Sequence, residues 1–286
     1  MNNRKARTER RGLQLPRTRM TSLLALSLLL LGVGAYGQAF SFLDLAFVGQ
    51  VAGGASAPVS AASSWPAPVG WWPLNDGTGG VAMDASGNGN AMTLYGAPSW
   101  SSSAPSALGH SLQLVGTSAQ YGQCSGNVAS FVGGGAYLTL AFWFNVSSGG
   151  KIPDVGFSAS GHRLCTYDGG STIYLLCDGG GATGFIPYTR DGQWHHFALV
   201  FDGTQSGWGR VAMYMDGQAQ TVSVNTGSPP ASLDSAAALG SFYCGTDVSD
   251  GQYSTCLVDD VRLYNTALTQ AEVSHIYNAG SGQVAQ

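Results

Sequence analysis

The segment Asp84-Ala-Ser-Gly-Asn-Gly-Asn90 gathers carboxylate and amide oxygens beside glycine-exposed carbonyls, the hard donors that Ca²⁺ prefers. The same side chains also close turns through their own hydrogen bonds, so the segment reads either as a cation loop or as a turn without an ion. Cysteines offer a second chemistry: Cys124, Cys165, Cys177, Cys244 and Cys256, with no C-x-x-C among them, which leaves zinc-ribbon and thioredoxin readings without support. Cys165 and Cys177 stand 12 positions apart around Tyr167-Asp-Gly-Gly-Ser171, and Cys244 and Cys256 stand 12 apart around Asp247-Val-Ser-Asp-Gly251. Turn residues at both centres predict two hairpin-spanning disulfides, Cys165–Cys177 and Cys244–Cys256, each worth about 3 kcal/mol for so short a loop. Cys124 is left over, as a buried thiol or as a bridge to another chain.

Catalytic motifs are scarce. No G-x-S-x-G, H-E-x-x-H or P-loop occurs, so those nucleophilic, zinc-dependent and phosphate-binding chemistries lack their signatures. His195 and His196 are adjacent and on a strand point to opposite faces, so they do not easily share one metal. Residues 1–20 carry seven basic side chains and one acid, a net +6; the remainder carries five basic and 15 acidic side chains, a net −10. A body with five scattered cations has no basic stripe, which excludes electrostatic nucleic-acid binding. The chain is 44% hydrophobic, with seven Trp, 12 Tyr and 11 Phe, enough to bury a core and so to exclude disorder throughout.

The elements that must carry these residues begin after a targeting segment. Residues 1–39 read as a secretory signal peptide: a basic start, the apolar run Thr21–Ala35, and small residues that predict cleavage after Ala39 or Gly37. An uncleaved signal anchor is the alternative. Either way the expected setting is secreted, extracellular or surface-associated, with no membrane insertion once the segment is cleaved. Residues 40–69 form a linker that includes the short apolar segment Phe40–Val48, residues 70–280 a folded domain and residues 281–286 a tail.

Within the domain, short apolar runs alternate with Gly, Asp, Asn and Ser. They predict strands at Gly70–Leu74, Ala91–Tyr95, Ser111–Val115, Leu138–Asn145, His162–Tyr167, Thr172–Cys177, Trp194–Phe201, Arg210–Met215, Gln218–Val224, Ala237–Tyr243 and Ser254–Tyr264. Leu138–Asn145 is apolar on both faces, as a central strand with both faces covered should be. Thr269-Gln-Ala-Glu272 is a capping box, followed by Val273, Ile276 and Tyr277 at helical spacing and closed by Gly280. The expected fold class is all-β: a two-sheet antiparallel β-sandwich with one short C-terminal helix.

Several ordered motifs extend this. Trp72-Pro-Leu-Asn-Asp76-Gly-Thr-Gly79 and Asp84–Asn90 open the domain; Leu140-Ala-Phe-Trp143-Phe, Gln193-Trp194-His-His-Phe-Ala-Leu-Val-Phe-Asp202-Gly and Met213-Tyr-Met-Asp216-Gly217 follow; Val258-Asp259-Asp-Val-Arg-Leu-Tyr264 precedes the helix. In this order the chain resembles the laminin-G-like domains of the concanavalin A-like lectin/glucanase jelly-roll superfamily, over most of Gly70 to Tyr277. Asn75 departs from the acid common at that position. The resemblance implies a jelly roll, and one structural Ca²⁺ held by Asp84, Asn88, Asn90 and Asp259. Enzymes among the relatives cluster glutamates around an aspartate on one strand. Here the body holds a single glutamate, Glu272 on the terminal helix, so two carboxylates flanking a glycosidic bond are not expected from that pattern.

The expectation is therefore a non-catalytic recognition module that binds a glycan or an extracellular protein through sandwich loops. Trp208, flanked by glycines, is the candidate platform for a sugar, with Tyr188 and Tyr253 as lesser candidates; the alternative for Trp208 is a loop indole folded onto the sandwich. Asn145-Val-Ser147 is a glycosylation sequon at Asn145. A structural component of a coat, filament or cell surface, assembling with copies of itself, is the second reading. Glycoside hydrolysis is the remote third.

Overall fold

The computed structural model describes residues 65–105, 108–124, 131, 135–147, 151–159, 162–177, 181–233, 241–247 and 251–280. The segment expected to be a signal peptide, most of the expected linker and the expected tail lie outside these residues. In chain order the strands are β1 (Gly70–Trp72), β2 (Val81–Ala82), β3 (Met92–Tyr95), β4 (Ser99–Ser101), β5 (Ser111–Leu114), β6 (Tyr121–Cys124), β7 (Tyr137–Asn145), β8 (Val155–Ala159), β9 (His162–Asp168), β10 (Thr172–Cys177), β11 (Ala182–Pro187), β12 (Trp194–Asp202), β13 (Val211–Met215), β14 (Gln218–Gln220), β15 (Ser223–Thr226), β16 (Ser241–Cys244), β17 (Thr246–Asp247), β18 (Gln252–Tyr253) and β19 (Cys256–Tyr264). The helix α1 (Gln270–Gly280) follows.

Two antiparallel sheets hold nearly all of these strands. One is eight-stranded, in the order β14-β13-β12-β7-β19-β5-β4 with β1 also on β19; the other is nine-stranded, β15-β11-β10-β9-β8-β16-β6-β3-β2; β17 and β18 form a separate small hairpin. This is a β-sandwich jelly roll with a C-terminal helix. The inter-sheet core is rich in aromatic residues: Trp72, Phe131, Phe142, Phe144, Phe157, Phe197, Phe201 and Phe242 are all fully buried, and Trp72 stacks on Phe242 at 5.1 Å.

Strand β7 explains why both of its faces are apolar. Leu138, Leu140, Phe142 and Phe144 enter the inter-sheet core, while Ala141 joins a second cluster with Ala198, Val200, Tyr264, Val273 and Ile276 beneath α1. The helix begins with its capping box closed: Thr269 N–H donates to Glu272 Oε2 at 2.6 Å, and Glu272 N–H donates to Thr269 Oγ1 at 3.3 Å. One sheet therefore has its outer face covered by α1. Residues 65–69, expected as the end of the linker, already pack on the domain: Val69 N–H donates to Leu263 O at 2.8 Å, and Trp65 stacks on His275 at 4.0 Å.

The run expected as one strand over Gln218–Val224 divides. Gln218–Gln220 pairs with β13 and Ser223–Thr226 with β11, so the chain changes sheet between them, with Val222 packed against the core at the crossing. The strand expected over Ala237–Tyr243 is described only as β16; residues 234–240 lie outside the described residues.

Candidate functional site

Side chains alternate across the nine-stranded sheet, and the outward set is rich in tyrosine. Phe242 and Cys244 point into the core, so Tyr243 between them points out. Leu94 is buried and its neighbour Tyr95 is 43% exposed. Register sets Tyr95 opposite Tyr121 across β3 and β6. It also sets Tyr167 opposite Tyr174, and Tyr174 opposite Phe185, across β9, β10 and β11.

Between these two groups, β16 and β8 supply no ring at this level, since Gly245 N–H donates to Asp154 O at 2.8 Å there. The β17–β18 hairpin supplies it instead. Tyr253 lies 6.0 Å from Tyr121, centroid to centroid, and Gln252 Nε2 donates to the Tyr167 hydroxyl at 3.4 Å. The result is a row of rings along one rim of the sheet: Tyr95, Tyr121, Tyr253, Tyr167, Tyr174 and Phe185. It crosses seven strands, about 29 Å at about 4.8 Å per strand.

Contacts along the row keep the rings oriented. Tyr95 and Tyr121 stack at 4.9 Å, and Tyr174 meets Phe185 at 5.0 Å. Amides and an ammonium stand among them: Gln123 Nε2 donates to Ser241 Oγ at 3.1 Å, and Lys151 Nζ donates to Gln252 Oε1 at 2.7 Å. Burial, then the nearby Tyr95, Tyr253 and Tyr243, push the pKa of Tyr121 above its ordinary value, so this hydroxyl stays neutral near pH 7. Apolar ring faces beside amide and hydroxyl donors are the chemistry of a site for a polyhydroxylated ligand.

The residues singled out in the sequence divide around this row. Tyr253 belongs to it. Trp208 does not: its indole packs on the core side of the sheet, where a Cβ added to Gly184 would stand 2.5 Å away, and its Nε1 donates to Gly227 O at 2.9 Å. The exposed platform expected there is a wedge folded onto the sandwich. Tyr188 is 8% exposed, against Phe144 at 5.2 Å and His195 at 5.6 Å. Asn145 lies in β7 between β12 and β19, and its Nδ2 donates to Gly192 O at 2.7 Å, so the nitrogen that a glycan would take is already engaged.

The residues expected to hold calcium are arranged as a hydrogen-bonded turn. Asp84 Oδ1 accepts from Trp71 N at 3.0 Å and Ser86 N at 2.9 Å; Oδ2 accepts from Ser86 Oγ and Asn90 N, both at 2.8 Å. These bonds outweigh its partial burial and lower its pKa. Asn88 and Asn90 each donate their amide to Val69 O, at 3.0 and 3.2 Å. Asp259 is fully buried in β19, accepts from Asp260 N–H at 2.8 Å, and burial pushes its pKa up to about 9. As they stand, the Asp84 oxygens are spent on turn hydrogen bonds, the ion-free arrangement that the sequence also allowed.

Nor do the cysteines form hairpin bridges. Cys165 faces Leu176, and Cys177 faces Leu164, so Cys165 and Cys177 lie on opposite faces of their hairpin and cannot join. Cys244 and Cys256 come from different sheets and meet the core as buried thiols. Burial pushes Cys244 up to about 12; Cys256 is raised first by burial and then by Cys244.

A family model described as the concanavalin A-like lectin/glucanases superfamily matches residues 116–274. No curated protein matches the chain. Among solved structures, a mutant of Trypanosoma rangeli sialidase displaying trans-sialidase activity is 18% identical, with a TM-score of 0.55 over 77% of this chain and 34% of that one. This chain thus spans about a third of that protein's length. Domain 4 of AbnA, a GH43 extracellular arabinanase from Geobacillus stearothermophilus in complex with arabinotriose, is 15% identical, with a TM-score of 0.53 over 75% of this chain and 100% of that one. At such identities the likeness is one of fold.

Proposed function

The chain belongs to the concanavalin A-like lectin/glucanase superfamily, and from that premise we propose that it is a non-catalytic, extracellular module that binds a glycan along the tyrosine row. The observation that carries this reading is the row itself: six rings across one rim of a sheet face, while the other sheet's outer face lies under α1. Sugar rings stack their apolar C–H faces on aromatic rings and spend their hydroxyls on amides, carboxylates and hydroxyls. Arabinotriose bound to the structurally similar arabinanase domain supports the ligand class without fixing the sugar.

The absence of catalysis rests on the carboxylates. The body holds a single glutamate, Glu272, and it is engaged in the helix cap, so by sequence pattern the glutamate cluster expected of the enzymes that share this fold does not form here. The extracellular setting rests on the character of residues 1–39. A glycan array probed with the full chain and with Tyr95→Ala/Tyr121→Ala tests the proposal. Hits that vanish in the double variant support it; hits retained at full strength refute it.

A further inference from the structure

From the Phe185 end of the row, the same sheet face continues along β10 and β11. Thr172 and Pro187 pair across β10 and β11 and lie two residues beyond Tyr174 and Phe185 on the same face, about 6.6 Å further along. Past them opens a cavity of about 580 Å³ lined by Ser171, Pro187, Tyr188, Asp191, His195 and Asp216, well within the size range of small-ligand sites.

The cavity carries fixed polar groups. His195 is held at both nitrogens, Nδ1 by Asp216 Oδ2 at 2.8 Å and Nε2 by Asp191 Oδ1 at 3.2 Å. Asp216 is locked in turn by His196 N–H, which donates to its Oδ1 at 2.9 Å. Asp191 is pinned by Gln193 N–H at 2.9 Å, yet its side chain stays 42% exposed, an acceptor facing solvent. Tyr188, in the wall, is more than nine-tenths buried, and its hydroxyl has no hydrogen-bond partner among the described residues.

We infer that this cavity is the terminal subsite of the same surface, taking the hydroxyl-rich end residue of a linear glycan whose preceding residues lie on the tyrosine row. The inference rests on the glycan-binding reading of that row. Adjacent sugar hydroxyls donate to the exposed carboxylate of Asp191, and the held imidazole and the Tyr188 ring bound the far side.

The test is NMR of the histidine imidazoles and tyrosine rings in the full chain. The probes are one- to six-unit ladders of gluco-, xylo-, arabino- and N-acetylglucosamine oligosaccharides. At least one ladder is expected to shift both His195 and the row tyrosines, with affinity rising with length. Asp191→Ala, and the milder Asp191→Asn, are expected to lose about tenfold in affinity and the His195 response while the tyrosines still respond. Tyrosine shifts without a His195 shift, or variants that bind as wild type, overturn the subsite and leave the row standing. A His195 shift with silent tyrosines overturns the continuity of the two. If no ladder shifts either set, row and subsite fall together.

Discussion

The indole of Trp208 occupies the space that a side chain at residue 184 would need: a Cβ added to Gly184 would stand 2.5 Å from its Cζ3. The two residues lock β11 to the 207–210 turn on the core side of the sheet, so both belong to stability rather than to recognition. Trp208→Ala is expected to cost about 3 kcal/mol, and Gly184→Ala to destabilise as well, because the indole must shift. Chemical denaturation checks both, and glycan binding by the folded fraction should match the wild type. Loss of binding with unchanged stability would return Trp208 to the site.

The pH dependence of stability follows from a buried row beneath α1. His196 and Asp259 stand opposite Trp143 from either side, in register across β12, β7 and β19, and all three are buried. Burial pushes His196 down to about 3 and Asp259 up to about 9. When unfolded, His196 takes a proton below about 6.5 that the folded state refuses, so its contribution is lost as pH falls toward 3. Asp259 gives up its proton above about 3.8 only when unfolded, so its contribution is lost as pH rises toward 9. Melting temperature against pH should lose its acid slope in His196→Leu and its alkaline slope in Asp259→Asn. Profiles identical to wild type contradict the assignment.

The Asp84 turn makes a third prediction. Its carboxylate already accepts four hydrogen bonds, so exchanging EDTA for millimolar calcium should leave the melting temperature unchanged. Asp84→Ala should cost about 2 kcal/mol in either medium by freeing those donors. A rise of several degrees with calcium would mean that the ion reorganises the loop.

Mass mapping of the non-reduced chain should find no Cys165–Cys177 linkage. Forming it would require β10 to slip by one residue against β9, which would turn Ile173 and Leu175 out of the core.

Long strands were legible in the sequence because their two-residue period is continuous: Thr172–Cys177 matches β10 end to end, and Trp194–Phe201 falls one residue short of β12. The capping box placed α1 for the same local reason. Strands β8 and β11 were not foreseen because glycine interrupts each apolar run. Gly156, at φ +148°, sits where a Cβ would strike Leu164 O, and Gly184 is kept small by Trp208. The tyrosine row was illegible for a different reason. Its members are scattered from residue 95 to residue 253, single rings on separate short strands, and only the order of strands in the sheet brings them together. A lone loop tryptophan was more conspicuous in the sequence, and in the fold its indole packs against the core.

Calorimetric titration of the strongest array glycan into wild type, Tyr121→Ala and Trp208→Phe tests the account most directly. Tyr121 touches Tyr95, Tyr243 and Tyr253, so its removal should weaken binding at least tenfold, about 1.4 kcal/mol, with the cooperative melt retained, while Trp208→Phe binds as wild type. Undiminished binding by Tyr121→Ala, with affinity lost in Trp208→Phe, would contradict it.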